Sequence, residues 1–199
     1  MISGDNPLSS PARRRATYED LLKVPDILIA EVLDGELITS PHPPLPHLRV
    51  ASVLICDVSP FDRQASNPGG WWILFEPELH LGDDILVPDL AGWQRECMPV
   101  LRGAPYFEQA PDWVCEVVSP STGRIDRVRK MPIYAREQVS HVWLVDPLQR
   151  ILEVYRLEGW HWVVAGTDGD DEIVRAEPFD AIELEMSRWW LEPEESPDR

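Results

Sequence analysis

The sequence has little cysteine, and its three cysteines are not arranged in pairs. Cys56, Cys97 and Cys115 form no CxxC motif and have no histidines at zinc-binding intervals. This excludes a disulfide framework and a structural zinc site of the common kinds, and it favours reduced thiols in a cytoplasmic protein. Cys115 lies inside an apolar run, so we expect it to belong to the core.

Long hydrophobic runs are also missing. No apolar stretch reaches the roughly 20 residues that a membrane-spanning helix needs, and the N-terminus has Pro, Ser and charged residues in place of the apolar part of a signal peptide. We therefore predict a soluble cytoplasmic protein without a membrane partner. We expect residues 1–15 to be a flexible tail, residues 16–191 to be one domain, and residues 192–199 to be an acidic tail.

Positive charge is scarce relative to negative charge: 18 Lys and Arg residues stand against 35 Asp and Glu residues, which gives a formal net charge of −17. Such a charge argues against loose, charge-driven binding to nucleic acid or to anionic membranes. Action on nucleic acid would need a local basic patch and a metal ion that screens the site. The GxSxG, GxxxxGK[ST] and GxGxxG motifs are absent, which argues against a serine hydrolase and a nucleotide cofactor.

The chain nevertheless has what a folded core requires. It is 199 residues long, 44% hydrophobic, and contains nine tryptophans. Helix-like and strand-like patterns alternate, which predicts a mixed α/β fold with a largely contiguous central sheet. The predicted helices cover residues 17–22, 46–57 and 122–137. The predicted strands cover residues 27–33, 36–40, 71–81, 85–93, 113–118, 141–146, 151–157 and 160–165.

Two carboxylates and a lysine are the strongest chemical signal. Asp89 follows the apolar run 85–88, Glu116 interrupts the apolar run 113–118, and Lys130 follows in a predicted helix. Carboxylates beside a core are costly unless a cation or hydrogen bonds compensate them. Two carboxylates can hold Mg²⁺ or Mn²⁺, and a lysine can stabilise a phosphate under attack. The pattern therefore predicts metal-dependent phosphodiester hydrolysis.

Simpler interpretations of these residues stay open. Asp89 could cap a turn, and Lys130 could pair with Asp126 on the helix surface, which is worth only about 0.3–0.5 kcal/mol. His47, at the start of a helix, could contact a phosphate or the acidic cluster, or could be structural.

Three further groups are candidates for accessory roles. Glu76, Glu78 and His80 alternate along a predicted strand and would share a face, which could be solvated or could be a second metal position. The arginines around Lys130 form the best basic patch of the chain, either as phosphate contacts or as a solvated helix surface: Arg124, Arg127 and Arg129. Trp189 and Trp190 could fill the core or form a dimer contact.

Taken together, these residues resemble the putative restriction endonuclease family of the PD-(D/E)XK nuclease superfamily. The resemblance covers roughly residues 17–190 and rests on order and spacing. The matching residues are Pro88-Asp89, Glu116, Ser119-Pro120-Ser121-Thr122, Asp126, Lys130, Glu31 with Asp34-Gly35-Glu36, His47, Tyr134-Ala135 and residues 141–147.

The resemblance implies a restriction-endonuclease-like core, with a central mixed β-sheet flanked by helices, and Mg²⁺-dependent cleavage of DNA. It implies that Asp89 and Glu116 are metal ligands, that Lys130 is the catalytic lysine, and that Glu31 is an additional acid of the site. One position departs from the superfamily pattern: Val118 stands where a lysine should follow the glutamate. The resemblance implies that the lysine has moved to the helix; otherwise the fold is catalytically degenerate.

Two other functional classes remain. A degenerate nuclease fold could serve as an interaction module, and metal affinity would distinguish it from an enzyme. A metal-dependent phosphoesterase could act on small substrates, and substrate length would distinguish it from a nuclease. We also expect a homodimer, formed through an exposed strand or the tryptophan-rich end.

Overall fold

The computed structural model describes residues 14–63 and 68–192, and the structural statements below concern those residues. Most of the two predicted tails lies outside them. The helices are α1 (Tyr18–Leu21), α2 (Leu45–Val58), α3 (Gly123–Ile125) and α4 (Met131–Arg136), with a π turn (Asp126–Lys130) joining the last two. The strands are β1 (Leu28–Leu33), β2 (Glu36–Pro41), β3 (Trp71–Phe75), β4 (Leu79–Leu81), β5 (Asp84–Leu86), β6 (Leu90–Gln94), β7 (Trp113–Val117), β8 (His141–Asp146), β9 (Ile151–Glu158), β10 (His161–Gly169), β11 (Ile173–Val174) and β12 (Leu184–Glu185).

The fold is mixed α/β, as the sequence predicts, and its centre is a six-stranded mixed sheet. The strand order is β10-β9-β8-β7-β6-β3, in which only the β7–β8 pair is parallel. A second sheet of four strands has the order β2-β1-β5-β4, and β11 pairs with β12. The parallel pair is connected by α3, the π turn and α4, as a parallel connection requires.

The alternation of side chains along β7 separates two hydrophobic clusters. Trp113, Cys115 and Val117 pack into the cluster that also contains the apolar face of α2. Val114 packs into the opposite cluster, which contains the apolar residues of α4. Because successive residues of a strand point to opposite faces, Glu116 lies on the α4 side of the sheet.

Local sequence explains the first hairpin well. Asp34 and Gly35 both have positive φ, of 54° and 80°, which is the conformation that an Asp-Gly hairpin turn requires. The strands that it joins pair antiparallel from Leu28 and Pro41 to Leu33 and Glu36. The two predicted strands over residues 27–33 and 36–40 are therefore confirmed, and the Asp34-Gly35 turn joins them as a hairpin.

The predicted strands over 71–81 and 85–93 are wrong, because each is divided between the two sheets. Glu76 has a positive φ of 44° and ends β3, so that β4 pairs with β5 while β3 pairs with β6. The returning segment changes sheet at Val87, whose N–H is bonded by the Glu31 carboxylate instead of by a neighbouring strand. Asp84, which lies between the two predicted strands, begins β5.

Trp189 and Trp190 belong to the core, as one of the two predicted alternatives has it, and a dimer contact at this end of the chain stays a prediction. Trp189 and Trp190 are both buried, and the Trp189 indole N–H donates to Asp57 at 3.0 Å. Arg188 forms an ion pair with the same carboxylate. None of the described helices is long and apolar enough to cross a membrane.

Candidate active site

Glu116 is a buried carboxylate at the centre of the predicted site. Only 3% of its surface is exposed. Tyr134, on α4, donates its hydroxyl hydrogen to Glu116 Oε1 at 2.5 Å, and the Lys130 ammonium donates to Oε2 at 3.3 Å. The helical segment that follows β7 thus provides the charged and polar partners that a carboxylate in an apolar run requires.

Lys130 connects three carboxylates. Its Nζ lies 3.0 Å from Glu31 Oε1, 3.3 Å from Glu116 Oε2 and 3.6 Å from Asp126 Oδ1. The residue is only 5% exposed. The interpretation of Lys130 and Asp126 as a surface ion pair is therefore wrong, because the pair exists but is buried against the sheet.

Asp89 is held in place by a histidine and by the backbone of β7. Its Oδ1 lies 2.7 Å from His47 Nε2, and its Oδ2 accepts a hydrogen bond from the Val117 N–H at 2.6 Å. His47 is buried in the first turn of α2. His47 therefore contacts the acidic cluster directly, and a phosphate contact of this histidine stays a prediction.

Glu31 connects the four-stranded sheet, to which β1 belongs, with the carboxylate cluster around Lys130. It lies on β1, is buried, and accepts the Val87 N–H at 2.8 Å while it contacts Lys130. The Glu31 carboxylate therefore binds both the backbone N–H that directly follows β5 and the ammonium of Lys130.

The cluster contains more carboxyl groups than cationic groups, because Glu31, Glu116 and Asp126 surround the single ammonium of Lys130. Burial raises the pKa of Glu116 well above its usual range, and the Lys130 ammonium only partly opposes this. Burial also raises the pKa of Asp126, to about 6. For Lys130, burial alone would lower the pKa, but the surrounding carboxylates, with Glu116 first, outweigh it and raise the pKa. The arrangement therefore favours an additional cation.

These groups line one small cavity of about 60 Å³. This is room for a few water molecules or for a cation with part of its hydration shell. Backbone and hydroxyl groups complete the lining, among them Val117, Ser119, Ser121 and Thr122, together with His42.

The donor chemistry of the cavity fits a hard divalent cation bound through two carboxylates. Within the described ranges no group of three or more His, Cys, Asp or Glu side chains is arranged to hold a metal ion. Mg²⁺, however, is usually bound through only one or two carboxylates, with water and substrate phosphates completing its octahedron. Each oxygen of Asp89 and Glu116 has one protein partner and retains lone pairs for another.

The predicted accessory residues are not brought together. Glu76 and Glu78 lie outside the strands, so the shared strand face predicted for Glu76, Glu78 and His80 is wrong. Glu78 lies 2.7 Å from His80, whose ring stacks on Tyr106. Burial, followed by the charge of Asp89, raises the pKa of Glu76.

The three arginines do not form one free basic patch. Arg127 pairs with Glu153, and Arg129 contacts Asp34, Glu36 and the Leu33 carbonyl. Arg124 is exposed. The possible phosphate contacts of all three stay predictions.

Residue-level reasoning from the sequence did not assign a role to Tyr134. The helical spacing of Asp126, Lys130 and Tyr134, each four residues apart, was the signal that could have found it, because such residues share one side of a helix. That spacing does not predict that the hydroxyl of Tyr134 points towards Glu116.

Comparison with known proteins identifies the family and the fold of the chain. The Uma2 family model, described as "Putative restriction endonuclease", matches residues 15–187, and the chain belongs to this family. A crystal structure of a putative nuclease belonging to DUF820, from Anabaena variabilis, matches with a TM-score of 0.68 and 22% identity, over 87% of this chain and 97% of that one. At this identity the match establishes the fold. The comparison with curated proteins gives no significant match. Family membership supports a nuclease-like function.

Proposed function

We propose that this protein is a Mg²⁺- or Mn²⁺-dependent endonuclease that hydrolyses phosphodiester bonds of DNA. The observation that carries the proposal is the reach of Lys130 from the helical segment to Glu31 and Glu116 on two strands, at 3.0 and 3.3 Å. A lysine in the helix thereby occupies the neighbourhood of the carboxylates even though Val118 replaces the strand lysine.

In this proposal Asp89 and Glu116 hold the cation. His47 and the Val117 N–H fix the orientation of Asp89, while Tyr134 fixes Glu116. These partners keep both carboxylates in one rotamer, so that little conformational freedom is lost on binding. A bound Mg²⁺ supplies a water of lowered pKa and neutralises charge on the phosphate.

Lys130 and Glu31 act on the electrostatics of the same cavity. Lys130 holds its proton because carboxylates surround it, so it presents a fixed positive charge to a phosphate oxygen entering the cavity. Glu31 holds the ammonium in that position, and its hydrogen bond to Val87 prevents the carboxylate from turning away.

Nicking of supercoiled plasmid tests the proposal. Wild-type protein is expected to convert supercoiled DNA to nicked and linear forms with Mg²⁺ or Mn²⁺ and to lose this activity with EDTA. Asp89→Asn and Glu116→Gln are expected to be inactive, whereas Glu78→Gln, whose carboxylate pairs with His80 instead, is a matched control that retains activity. A metal-independent wild type, or active Asp89→Asn and Glu116→Gln variants, would overturn the proposal.

A phosphoesterase for small substrates is the alternative that the charge of −17 favours. It would use the same carboxylates but hydrolyse a nucleotide monoester or bis(p-nitrophenyl) phosphate faster than plasmid. The ratio of the two rates in wild-type protein decides between the two substrate classes.

We also propose that the protein forms a homodimer in which two copies of the chain associate through the outer edge of β10. This strand is one edge of the six-stranded sheet, and its residues Val163 and Val164 are 37% and 57% exposed. An exposed apolar edge strand is a template for pairing with a second copy. Val164→Lys is expected to give a monomer by light scattering, and an unchanged mass in this variant would contradict the interface.

A further inference from the structure

The helical segment that carries Lys130 is not a regular α-helix. Residues Asp126–Lys130 form a π turn, in which the Met131 N–H donates to the Asp126 carbonyl five residues earlier. Helices α3 and α4 flank the turn on either side. Such π turns are rare within α-helices and are frequent at functional sites.

Pro132 provides a physical cause for the π turn. In a regular α-helix its ring would clash with the carbonyl of Val128, four residues earlier, and it has no N–H with which to bond that carbonyl. A wider turn relieves this clash. Val128 lies on the solvent side, with 52% of its surface exposed, so a carbonyl released there is available to water.

The π turn also brings the functional side chains into line. A regular α-helix rotates by about 100° per residue, so residues four apart are offset by about 40°, and Asp126 and Tyr134 would be offset by about 80°. In the structure Asp126, Lys130 and Tyr134 are all buried, and Lys130 and Tyr134 both contact Glu116. The π turn contains one more residue than a regular helical turn, and this reduces the angular offset between Asp126 and Tyr134 so that both face the sheet.

We propose that Pro132 is a positioning residue: it imposes the π turn that aims the Lys130 ammonium at Glu31 and Glu116. This explains how a lysine from the helix serves carboxylates on the strands. Its consequence for catalysis rests on the proposed nuclease function, but its consequence for the position of Lys130 does not, and can be measured without a substrate.

The composition of the chain permits a clean test of that position. The only lysines are Lys23 and Lys130. The side chain of Lys23 is 74% exposed, whereas that of Lys130 is 6% exposed. Under native conditions an amine acetylating reagent should therefore modify Lys23 readily and Lys130 slowly, and peptide mass spectrometry separates the two, with Lys23 as the internal reference.

Pro132→Ala removes the clash and restores an N–H that can bond the Val128 carbonyl. The helix is then expected to become regular and to rotate Lys130 away from the carboxylates, so that its acetylation rate relative to Lys23 rises about tenfold or more. Pro105→Ala, which removes an exposed proline in the loop before β7, is the matched control and should leave the ratio unchanged.

Plasmid nicking then tests the catalytic consequence. Pro132→Ala should lower kcat about 10²-fold, as displacement of a catalytic group by about 1 Å can do, and leave KM nearly unchanged. A general loss of folded protein would instead scale with the unfolded fraction measured by circular dichroism.

The outcomes separate the two proposals. If Lys130→Ala retains full nicking activity, the catalytic role of Lys130 fails, and the acetylation ratio still decides whether Pro132 positions it. If Pro132→Ala leaves the ratio unchanged, the inference is overturned. A Pro132→Ala protein that does not fold also overturns it, because removing a proline from inside a helical segment should make the helix easier to form.

Discussion

At the scale of single residues, Glu116 combines burial with two direct partners, Lys130 and Tyr134. A carboxylate in the apolar run of residues 113–118 indicated a partner or a function, and the structure buries Glu116 with two partners. The identity of Tyr134 as one partner depends on the packing of α4 against the sheet. Asp89 was likewise predicted, but its bond from the Val117 N–H was not, because it joins residues 28 positions apart.

Replacement of Lys130 by methionine tests the role of the buried charge. Lys130→Met keeps a chain of similar length and removes the ammonium, so nicking activity is expected to fall about 10²–10³-fold. The change leaves buried carboxylates without their cation, which should lower the free energy of unfolding by about 3–5 kcal/mol in urea titrations without metal. Lys23→Met is the control, since Lys23 is exposed. Unaltered activity in Lys130→Met would contradict the catalytic role.

The raised pKa of Asp126 allows a prediction of how the free energy of unfolding depends on pH. Burial raises its pKa from the ordinary 3.8 to about 6. Because the folded state binds this proton more tightly than the unfolded state, the contribution to stability is complete below about pH 4 and is lost as the pH rises through about 6. Asp126→Asn removes this titration, so the stability of wild type relative to the variant should fall by about 2 kcal/mol across that range.

Urea unfolding of both proteins at several pH values, without divalent metal, measures this difference. Parallel curves for wild type and Asp126→Asn would show that the carboxyl of Asp126 has an ordinary pKa in the folded protein.

At the scale of elements, local signals were sufficient for some segments and insufficient for others. The first hairpin was predictable because Asp34 and Gly35 determine the turn by themselves. The division of residues 71–93 between two sheets was not, because it depends on a carboxylate of β1 bonding the Val87 N–H. The π turn likewise had a local signal in Pro132, but its effect depends on which side of the helix faces the sheet.

Gly123, the first residue of α3, packs tightly against Val118, and the cost of adding a methyl group there can be predicted. A Cβ at Gly123 would lie 2.7 Å from Val118 Cγ1, closer than side-chain contacts allow. Gly123→Ala should therefore cost about 1–3 kcal/mol of stability by overpacking. The double variant Gly123→Ala with Val118→Ala should recover part of this loss, because it removes the clashing methyl groups.

Chemical denaturation of the single and double variants measures the coupling between the two sites. Gly103→Ala is the matched control, since a Cβ there meets no atom within 4 Å. Equal losses in the single and double variants would mean that Val118 is not the obstacle.

At the scale of the whole molecule, the negative charge of −17 has to be reconciled with a nucleic-acid substrate. Arg127, Arg129 and Arg136 are engaged by carboxylates of the chain itself, so they contribute less to a field that attracts DNA. Binding of DNA would therefore depend on the cation between protein and phosphate. The single domain over residues 16–191, the cytoplasmic location and the homodimer stay predictions, because composition and edge strands indicate them without determining them.

The most direct test of the central claim is titration calorimetry of Mn²⁺ and Mg²⁺ into wild type, Asp89→Asn and Glu116→Gln, with and without a short DNA duplex. We expect wild type to bind one divalent cation per chain and both variants to lose that binding, while the Glu78→Gln control binds normally. Wild-type protein that binds no cation even with the duplex, or variants that still bind it, would contradict a metal site formed by these two carboxylates.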